Sequence, residues 1–153
     1  MQEIYNCKMK NIIFITLIVL SVCEAEAQKC KSKNVPFSIT NAFKQTHPTI
    51  QKTHWGKDEM NYQVTYVEHN APVSITYDPL GKMIITEAQI SVEQLPVSVT
   101  QYVEKNYPQD IYEDVAKITD ADNSIAYEVQ IKNTALIFDA QGNFVQEMKI
   151  DEK

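Results

Sequence analysis

The sequence contains no arginine and only three glycines among its 153 residues. Without the planar guanidinium, and with a net charge of -6, the chain is poorly suited to bind nucleic acid or an anionic membrane surface. Three glycines can hardly build a phosphate-binding loop, and neither a Gly-x-Ser-x-Gly nor a His-Glu-x-x-His motif is present. The composition therefore predicts a protein that is not an enzyme and that has no cofactor.

Long apolar runs are also scarce, and the main one lies near the amino terminus at Ile12–Val22. Two lysines precede it and the small-x-small sequence Ala25-Glu26-Ala27 follows it, which is typical of a secretory signal peptide. The run is shorter than the roughly 20 residues of a spanning helix. We therefore predict a signal peptide over residues 1–27 and export to the periplasm or the medium, with no transmembrane segment after cleavage. Anchoring as a lipoprotein through Cys23 is the less favoured alternative.

The mature chain cannot form an internal disulfide, because only Cys30 remains after cleavage. Residues 28–34 are predicted to form a disordered segment. The mature part has 12 lysines against 17 acids, a net charge of -5, in 126 residues. A domain of this length buries about two-thirds of its unfolded surface and needs no disulfide. We predict one domain over residues 35–153.

The same phrase occurs twice in the chain, as VPFSITNAFKQTHP at 35–48 and as LPVSVTQYVEKNYP at 95–108. Each copy places apolar residues at i, i+4, i+7 and i+8, which predicts one buried stripe on a helix. Prolines stand at both ends of each phrase and limit the helix to about three turns. The stripes consist of Val35, Ile39, Ala42 and Phe43, and of Leu95, Val99, Tyr102 and Val103.

Alternating apolar and polar residues after each helix predict strands, and an Asp-x-x-Gly turn recurs at a spacing of 61 residues. The predicted strands are Ile50–Gly56, Tyr62–Tyr66, Val73–Tyr77, Met83–Ile90, Tyr112–Thr119, Tyr127–Ile131, Leu136–Phe138 and Phe144–Ile150. We predict a tandem repeat, 35–92 and 93–153, of a helix followed by about four strands. Joined, the repeats give an α+β fold in which a single curved antiparallel sheet of about eight strands carries two helices on one face.

The order of these elements resembles the PepSY-like family of secreted bacterial proteins. The resemblance rests on a Leu/Val-Pro helix start, a Tyr-Pro helix end, a Tyr-x-Val strand and a Phe/Tyr-Asp-x-x-Gly hairpin. It extends from Val35 to Ile150, although His47 replaces the expected tyrosine in the first copy. The family is similar in fold to the β-lactamase inhibitory protein. The resemblance implies an envelope protein without known chemistry, with binding or peptidase inhibition suggested for some relatives.

Candidate metal and catalytic groups are few. His47, His54 and His69 lack the spacing of zinc ligands and are interpreted as surface histidines. Asp120, Asp122 and Ser124 resemble the start of a calcium loop, but isoleucine stands at the positions that need glycine and glutamate. We interpret 119–124 as a polar hairpin turn, and Glu113 and Asp114 as a solvated acidic pair. No metal site is predicted.

The aromatic residues follow the apolar phase of the strands and are expected to pack beneath the helices rather than to form a ligand site. This set comprises Tyr62, Tyr66, Tyr77, Tyr127 and Phe138, and Trp55 is assigned to the core with them.

The residues that alternate with these apolar side chains along the strands predict a second, polar sheet face, which the two helices leave open. The residues assigned to it are Gln63, Thr65, Ser74, Thr76, Glu128, Gln130 and Lys132. Our leading hypothesis is a periplasmic or secreted non-enzymatic binding protein that receives another envelope protein or a peptide, such as a peptidase to be inhibited, on this face. The alternative is a periplasmic protein that binds or senses a small ligand or a divalent cation at the Asp120–Ser124 turn. The sequence predicts no oligomeric state.

Overall fold

The computed structural model describes residues 34–58 and 60–150, apart from the side chain of Asp58. The predicted signal peptide, Cys23 and Cys30 lie outside these residues, and so does nearly all of the segment 28–34. The described chain begins just before the first helix and ends just after the last strand.

Within the described residues, two α-helices and eight strands follow one another in the order helix, four strands, helix, four strands. The helices are α1 (Phe37–Thr46) and α2 (Val97–Asn106). The strands are β1 (His54–Asp58), β2 (Asn61–Glu68), β3 (Ala71–Tyr77), β4 (Met83–Gln89), β5 (Tyr112–Asp120), β6 (Ile125–Ile131), β7 (Thr134–Asp139) and β8 (Phe144–Lys149). The same element order thus occurs twice, as the repeated phrase predicts.

The eight strands form one antiparallel sheet in which every strand pairs with its neighbours in the chain. Because successive side chains of a strand point to opposite faces, the pairing register shows which residues share a face. One row of partners runs across the sheet through Val73, Ala88, Lys117, Tyr127 and Phe138. Val73 belongs to the cluster around α1 and Phe138 to the cluster around α2. Both helices therefore cover the same face, which confirms the predicted fold class.

The helices form where the sequence predicts them. Pro36 and Pro96 are the N-cap residues, one position before the first helical residue, with extended ψ values of 141° and 139°. The residues fully buried within the helices are Ile39 and Phe43 in α1 and Val99 and Val103 in α2.

Two clusters form the core between helices and sheet. The first contains Val35, Ile39, Phe43, Trp55, Val64, Tyr66, Val73, Ile75 and Tyr77. The second contains Leu95, Val99, Val103, Val115, Val129, Ile131, Leu136 and Phe138. Trp55 is 8% exposed, and its ring meets that of Phe43 edge-on at 5.9 Å, so its assignment to the core is confirmed. Tyr62 and Tyr127 are only partly buried, but they pack against these clusters.

Two local predictions differ from the structure. The first strand was predicted at Ile50–Gly56 but begins at His54, because the residues before it do not alternate strongly enough to define a strand. Lys132 was assigned to the alternation of β6, but the strand ends at Ile131. Lys132 lies in the following turn with φ 45°, and its ammonium contacts the carboxylate of Asp110.

Three tight turns between strands share one arrangement. The carboxylates of Asp78, Asp120 and Asp139 each accept N–H groups from the residues two and four positions later, at 2.8–3.1 Å. The fourth residue of each turn has a positive φ: 88° at Gly81, 66° at Asn123 and 77° at Gly142. Asp120 therefore closes a polar hairpin turn, as predicted, in the same way as the other two aspartates.

Gly142 also packs closely against the start of α2. A Cβ there would overlap the hydroxyl of Ser98 and lie 3.0 Å from Pro96 Cβ, in a backbone conformation that side chains rarely adopt. We expect Gly142→Ala to lower the free energy of unfolding by about 1–3 kcal/mol, measured by urea denaturation. Gly56→Ala is the control, since a Cβ there meets nothing within 4 Å. Equal stability of the two variants would contradict the close packing of this turn.

Candidate functional site: the helix-free face

The sheet face opposite the helices, called the helix-free face below, is defined by the alternate register rows. One row joins Thr65, Ser74, Glu87, Ile118, Ala126 and Asp139 across β2 to β7. A neighbouring row joins Ala116, Glu128, Ile137 and Gln146 across β5 to β8. No residue of α1 or α2 belongs to the apolar cluster on this face.

The predicted face residues separate into two groups. Gln63 and Thr65 pair with Thr76 and Ser74 across β2 and β3, and Gln63 Nε2 donates to Ser74 Oγ at 3.4 Å. Glu128 and Gln130 lie together on β6, where they pair with Ala116 and Asp114 of β5. Strands β4 and β5 separate the groups. Six of the seven predicted residues therefore share one face, while Lys132 lies at its margin in a turn.

The centre of the face is apolar, which the sequence reasoning missed. Ile85, Ile118, Ala126 and Ile137 form a buried cluster with exposures of 1–5%, and Val145 and Met148 pack against it. Ser74 and Thr76 are buried as well, at 3% and 5%. The prediction of a polar face is therefore wrong for the centre of the face, which is apolar. Strands β4, β5 and β7 carry apolar residues in both phases, so alternation alone could not separate the two faces.

Two carboxylates are buried beside this cluster. Glu87 on β4 is 5% exposed and Glu128 on β6 is 2% exposed. Glu87 Oε1 and Glu128 Oε2 each lack a hydrogen-bond partner within the described part of the chain. Their cross-strand neighbours on β5 are Ile118 and Ala116, so the two carboxylates lie on either side of that strand. Glu87 was not predicted; the available signal was the one charged residue in β4.

Burial changes the acidity of both groups. Desolvation raises the pKa of Glu128 to about 8, and the nearby Asp114 carboxylate contributes to the rise. Desolvation also raises the pKa of Glu87 well above its ordinary value, with further contributions from Glu128 and Asp114. Asp114 itself accepts hydrogen bonds from Gln89 Nε2 at 2.8 Å and from the Val115 N–H at 2.7 Å. Near neutral pH Glu128 therefore favours the protonated form, and burial shifts Glu87 in the same direction.

The charged groups on this face are almost all acidic. Five carboxylates lie in its register rows, namely Glu87, Asp114, Asp120, Glu128 and Asp139. His54 is the basic residue in phase with them, at the edge strand β1. The strand lysines lie on the other phase: Lys57 pairs with Tyr62, Lys117 with Tyr127 and Lys149 with Thr134. Among the described strands, no lysine balances the acids of the helix-free face.

The metal candidates do not converge. Within residues 34–58 and 60–150, His, Cys, Asp and Glu form no group of three that could hold an ion. His54 and His69 are exposed, whereas His47 is half-buried and its ring stacks on Phe43 at 4.9 Å. Oδ1 of Asp120 already accepts two backbone N–H groups, so the turn has a structural explanation. Cation binding there stays a prediction, tested by a calcium-induced thermal shift that Asp122→Ala abolishes.

The family described as "Putative beta-lactamase-inhibitor-like, PepSY-like" matches residues 62–146, more than half of the chain. The chain belongs to this PepSY-like family, which confirms the resemblance. No curated protein matches it.

Solved structures of bacterial proteins share the fold. A "putative periplasmic" protein of Bacteroides eggerthii superposes with a TM-score of 0.71 at 14% identity, covering 75% of this chain and 88% of its own. A DUF2874 family protein of Bacteroides ovatus superposes with a TM-score of 0.68 at 14% identity, covering 74% of this chain and 86% of its own. A BLIP-like protein of Bacteroides fragilis superposes with a TM-score of 0.65 at 20% identity, covering 76% of this chain and 86% of its own. At these identities the likeness establishes the fold alone.

In the part of the chain that the structure describes, neither helix is long and apolar enough to cross a membrane.

Proposed function

We propose that the protein is an exported, non-enzymatic binding protein that receives another polypeptide of the cell envelope on its helix-free face. The observation that carries this proposal is the asymmetry of the sheet. One face packs beneath α1 and α2, while the other holds a cluster around Ile118 to which neither helix contributes. The cluster is itself only 1–5% exposed, so the surface open to a partner consists of the half-buried side chains around it, such as Gln63 and Gln130.

Two comparisons support the proposal. The description of the family as inhibitor-like supports binding, and inhibition of an envelope enzyme such as a peptidase, as the activity. The Bacteroides eggerthii protein is described as periplasmic, and this likeness supports export together with the predicted signal peptide.

Site-specific photo-crosslinking in cells of the source organism tests the face directly. A photoreactive amino acid is placed at Gln63 or at Gln130, which lie half-buried at the two sides of the helix-free face. Gln101, exposed on α2, is the matched control position. We expect one protein adduct of the same mass from Gln63 and Gln130 in the envelope fraction, and none from Gln101. Adducts from Gln101 alone, or no adduct from either face position, would contradict the proposal.

A further inference from the structure

The sheet is open, and each of its two edge strands has one side that no strand of the described residues covers. These edges are β1 and β8, at the two ends of the strand order. An edge strand presents unpaired N–H and C=O groups with which another strand can pair. β1 is the weaker template, because it has only five residues with Gly56 at its middle. β8 has six residues and contains neither glycine nor proline.

The backbone groups of Glu147 and Lys149 point away from the sheet. The N–H of Ile150 donates to Asn133 O at 2.7 Å, on the side of β7. Successive residues of an antiparallel strand direct their N–H and C=O groups to alternate sides. The groups of Met148 therefore turn toward β7 as well, whereas those of its two neighbours turn outward. The outer side of β8 thus offers two donors and two acceptors.

The same two residues carry opposite charges on the face that the helices cover, since Glu147 pairs with Leu136 of the second core cluster. Lys149 Nζ lies 2.8 Å from Glu147 Oε1, and Tyr107 OH donates to Glu147 Oε2 at 2.7 Å. The hydrogen bonds from Lys149 and then Tyr107 lower the pKa of Glu147, so its carboxylate is charged near neutral pH. The Lys149 side chain is 74% exposed and its ammonium is accessible.

A second copy of this chain complements that pattern. When two β8 strands pair antiparallel about a twofold axis at Met148, Glu147 of each copy lies opposite Lys149 of the other. Opposite charges in such cross-strand positions stabilise a sheet, and like charges destabilise it. Each of these two pairs also exchanges two backbone hydrogen bonds through the outward groups. A register with Glu147 or Lys149 on the axis would place like charges opposite each other, so the charges select the axis at Met148.

We propose that two copies of the protein pair through β8, with Met148 at the twofold axis, to form one antiparallel sheet that runs through both copies. The contact uses the same surface of each copy and therefore closes at a dimer. Because the axis is perpendicular to the sheet, both helix-free faces lie on the same side. They meet at Met148, which packs against the apolar cluster of that face. This inference goes beyond the proposed function and does not depend on it.

Disulfide trapping with Met148→Cys tests the register. The mature protein also carries Cys30→Ser, so that the introduced thiol has no competitor. Opposed residues of a non-hydrogen-bonded pair lie about 4.5 Å apart at Cα, which a disulfide can span. We expect a disulfide-linked dimer on a non-reducing gel. Gln146→Cys is the matched control, because each copy of it lies about 14 Å along the strand from the other, and we expect no dimer.

Sedimentation equilibrium of the protein without introduced thiols tests the charges. Lys149→Glu places acids opposite each other and is expected to raise the Kd of the dimer about tenfold or more. Glu147→Lys combined with Lys149→Glu reverses both charges and is expected to restore the dimer. Lys57→Glu, at an exposed lysine of the other edge strand, is the control and should leave the dimer unchanged.

Three results would overturn the inference. The first is a monomer at every concentration up to about 1 mM, or a dimer that Lys149→Glu leaves unchanged. The second is an equal yield of disulfide from Met148→Cys and Gln146→Cys. The third is a series of species larger than a dimer that Lys57→Glu disperses, since this would show β8 pairing with β1 of the next copy.

Discussion

Phe138→Ala is expected to lower the free energy of unfolding by about 3–5 kcal/mol, a large share of the stability of a domain of this size. Phe138 is fully buried beneath α2, and its ring lies 5.4 Å from that of Tyr102 and 5.9 Å from that of Phe144. Removing it leaves a cavity in the second core cluster that the helix and the sheet cannot close without moving.

Urea denaturation measures the effect, with two further variants to interpret it. Phe138→Leu keeps most of the volume and should cost about 1–2 kcal/mol, so it remains measurable if the alanine variant fails to fold. Phe37→Ala removes a ring that is 82% exposed and should change stability by about 0.5 kcal/mol or less. Similar losses for Phe138→Ala and Phe37→Ala would contradict the placement of Phe138 in the core.

Glu128→Gln is expected to stabilise the protein at pH 8 and to leave its stability nearly unchanged at pH 4. The folded-state pKa of Glu128 is raised to about 8, whereas the unfolded chain titrates near 4.5. Between these values the folded state binds more protons than the unfolded state, so the stability of the wild type falls as the pH rises. Below pH 4.5 the carboxyl is neutral in both states, and glutamine resembles it.

The expected gain at pH 8 is roughly 2–4 kcal/mol, less than the full shift implies because water and local relaxation reduce the penalty. Besides burial, the Asp114 carboxylate on β5 also raises the pKa of Glu128 and favours its protonated form. The measurement is the urea midpoint of both proteins from pH 4 to pH 8.5. Glu113→Gln, an exposed control, should follow the wild type. Parallel curves for Glu128→Gln and the wild type would show that Glu128 is not desolvated.

The sequence patterns correctly predicted the sheet face that packs under the helices. The spacing of Ile39 and Phe43, and of Val99 and Val103, follows the helical period, and prolines limit both segments. These are local signals that the chain carries within about a dozen residues. The eight strands could be counted for the same reason, apart from the start of β1.

The helix-free face could be predicted only in part. Assigning Ile85, Ile118 and Ile137 to it requires the register of β4, β5 and β7, and that register depends on pairing between strands rather than on any one strand. Glu87 was missed for the same reason. Lys132 was placed on a strand because strict alternation continues past Ile131, whereas the positive φ of the turn ends the strand there.

The central claim is that the helix-free face carries two desolvated, unpaired carboxylates. Carbon-13 NMR of the Glu128 side-chain carboxyl, followed from pH 4 to pH 10, tests it most directly. We predict a midpoint near 8, because burial disfavours the charged form. A midpoint near the ordinary value of 4.5 would contradict the claim.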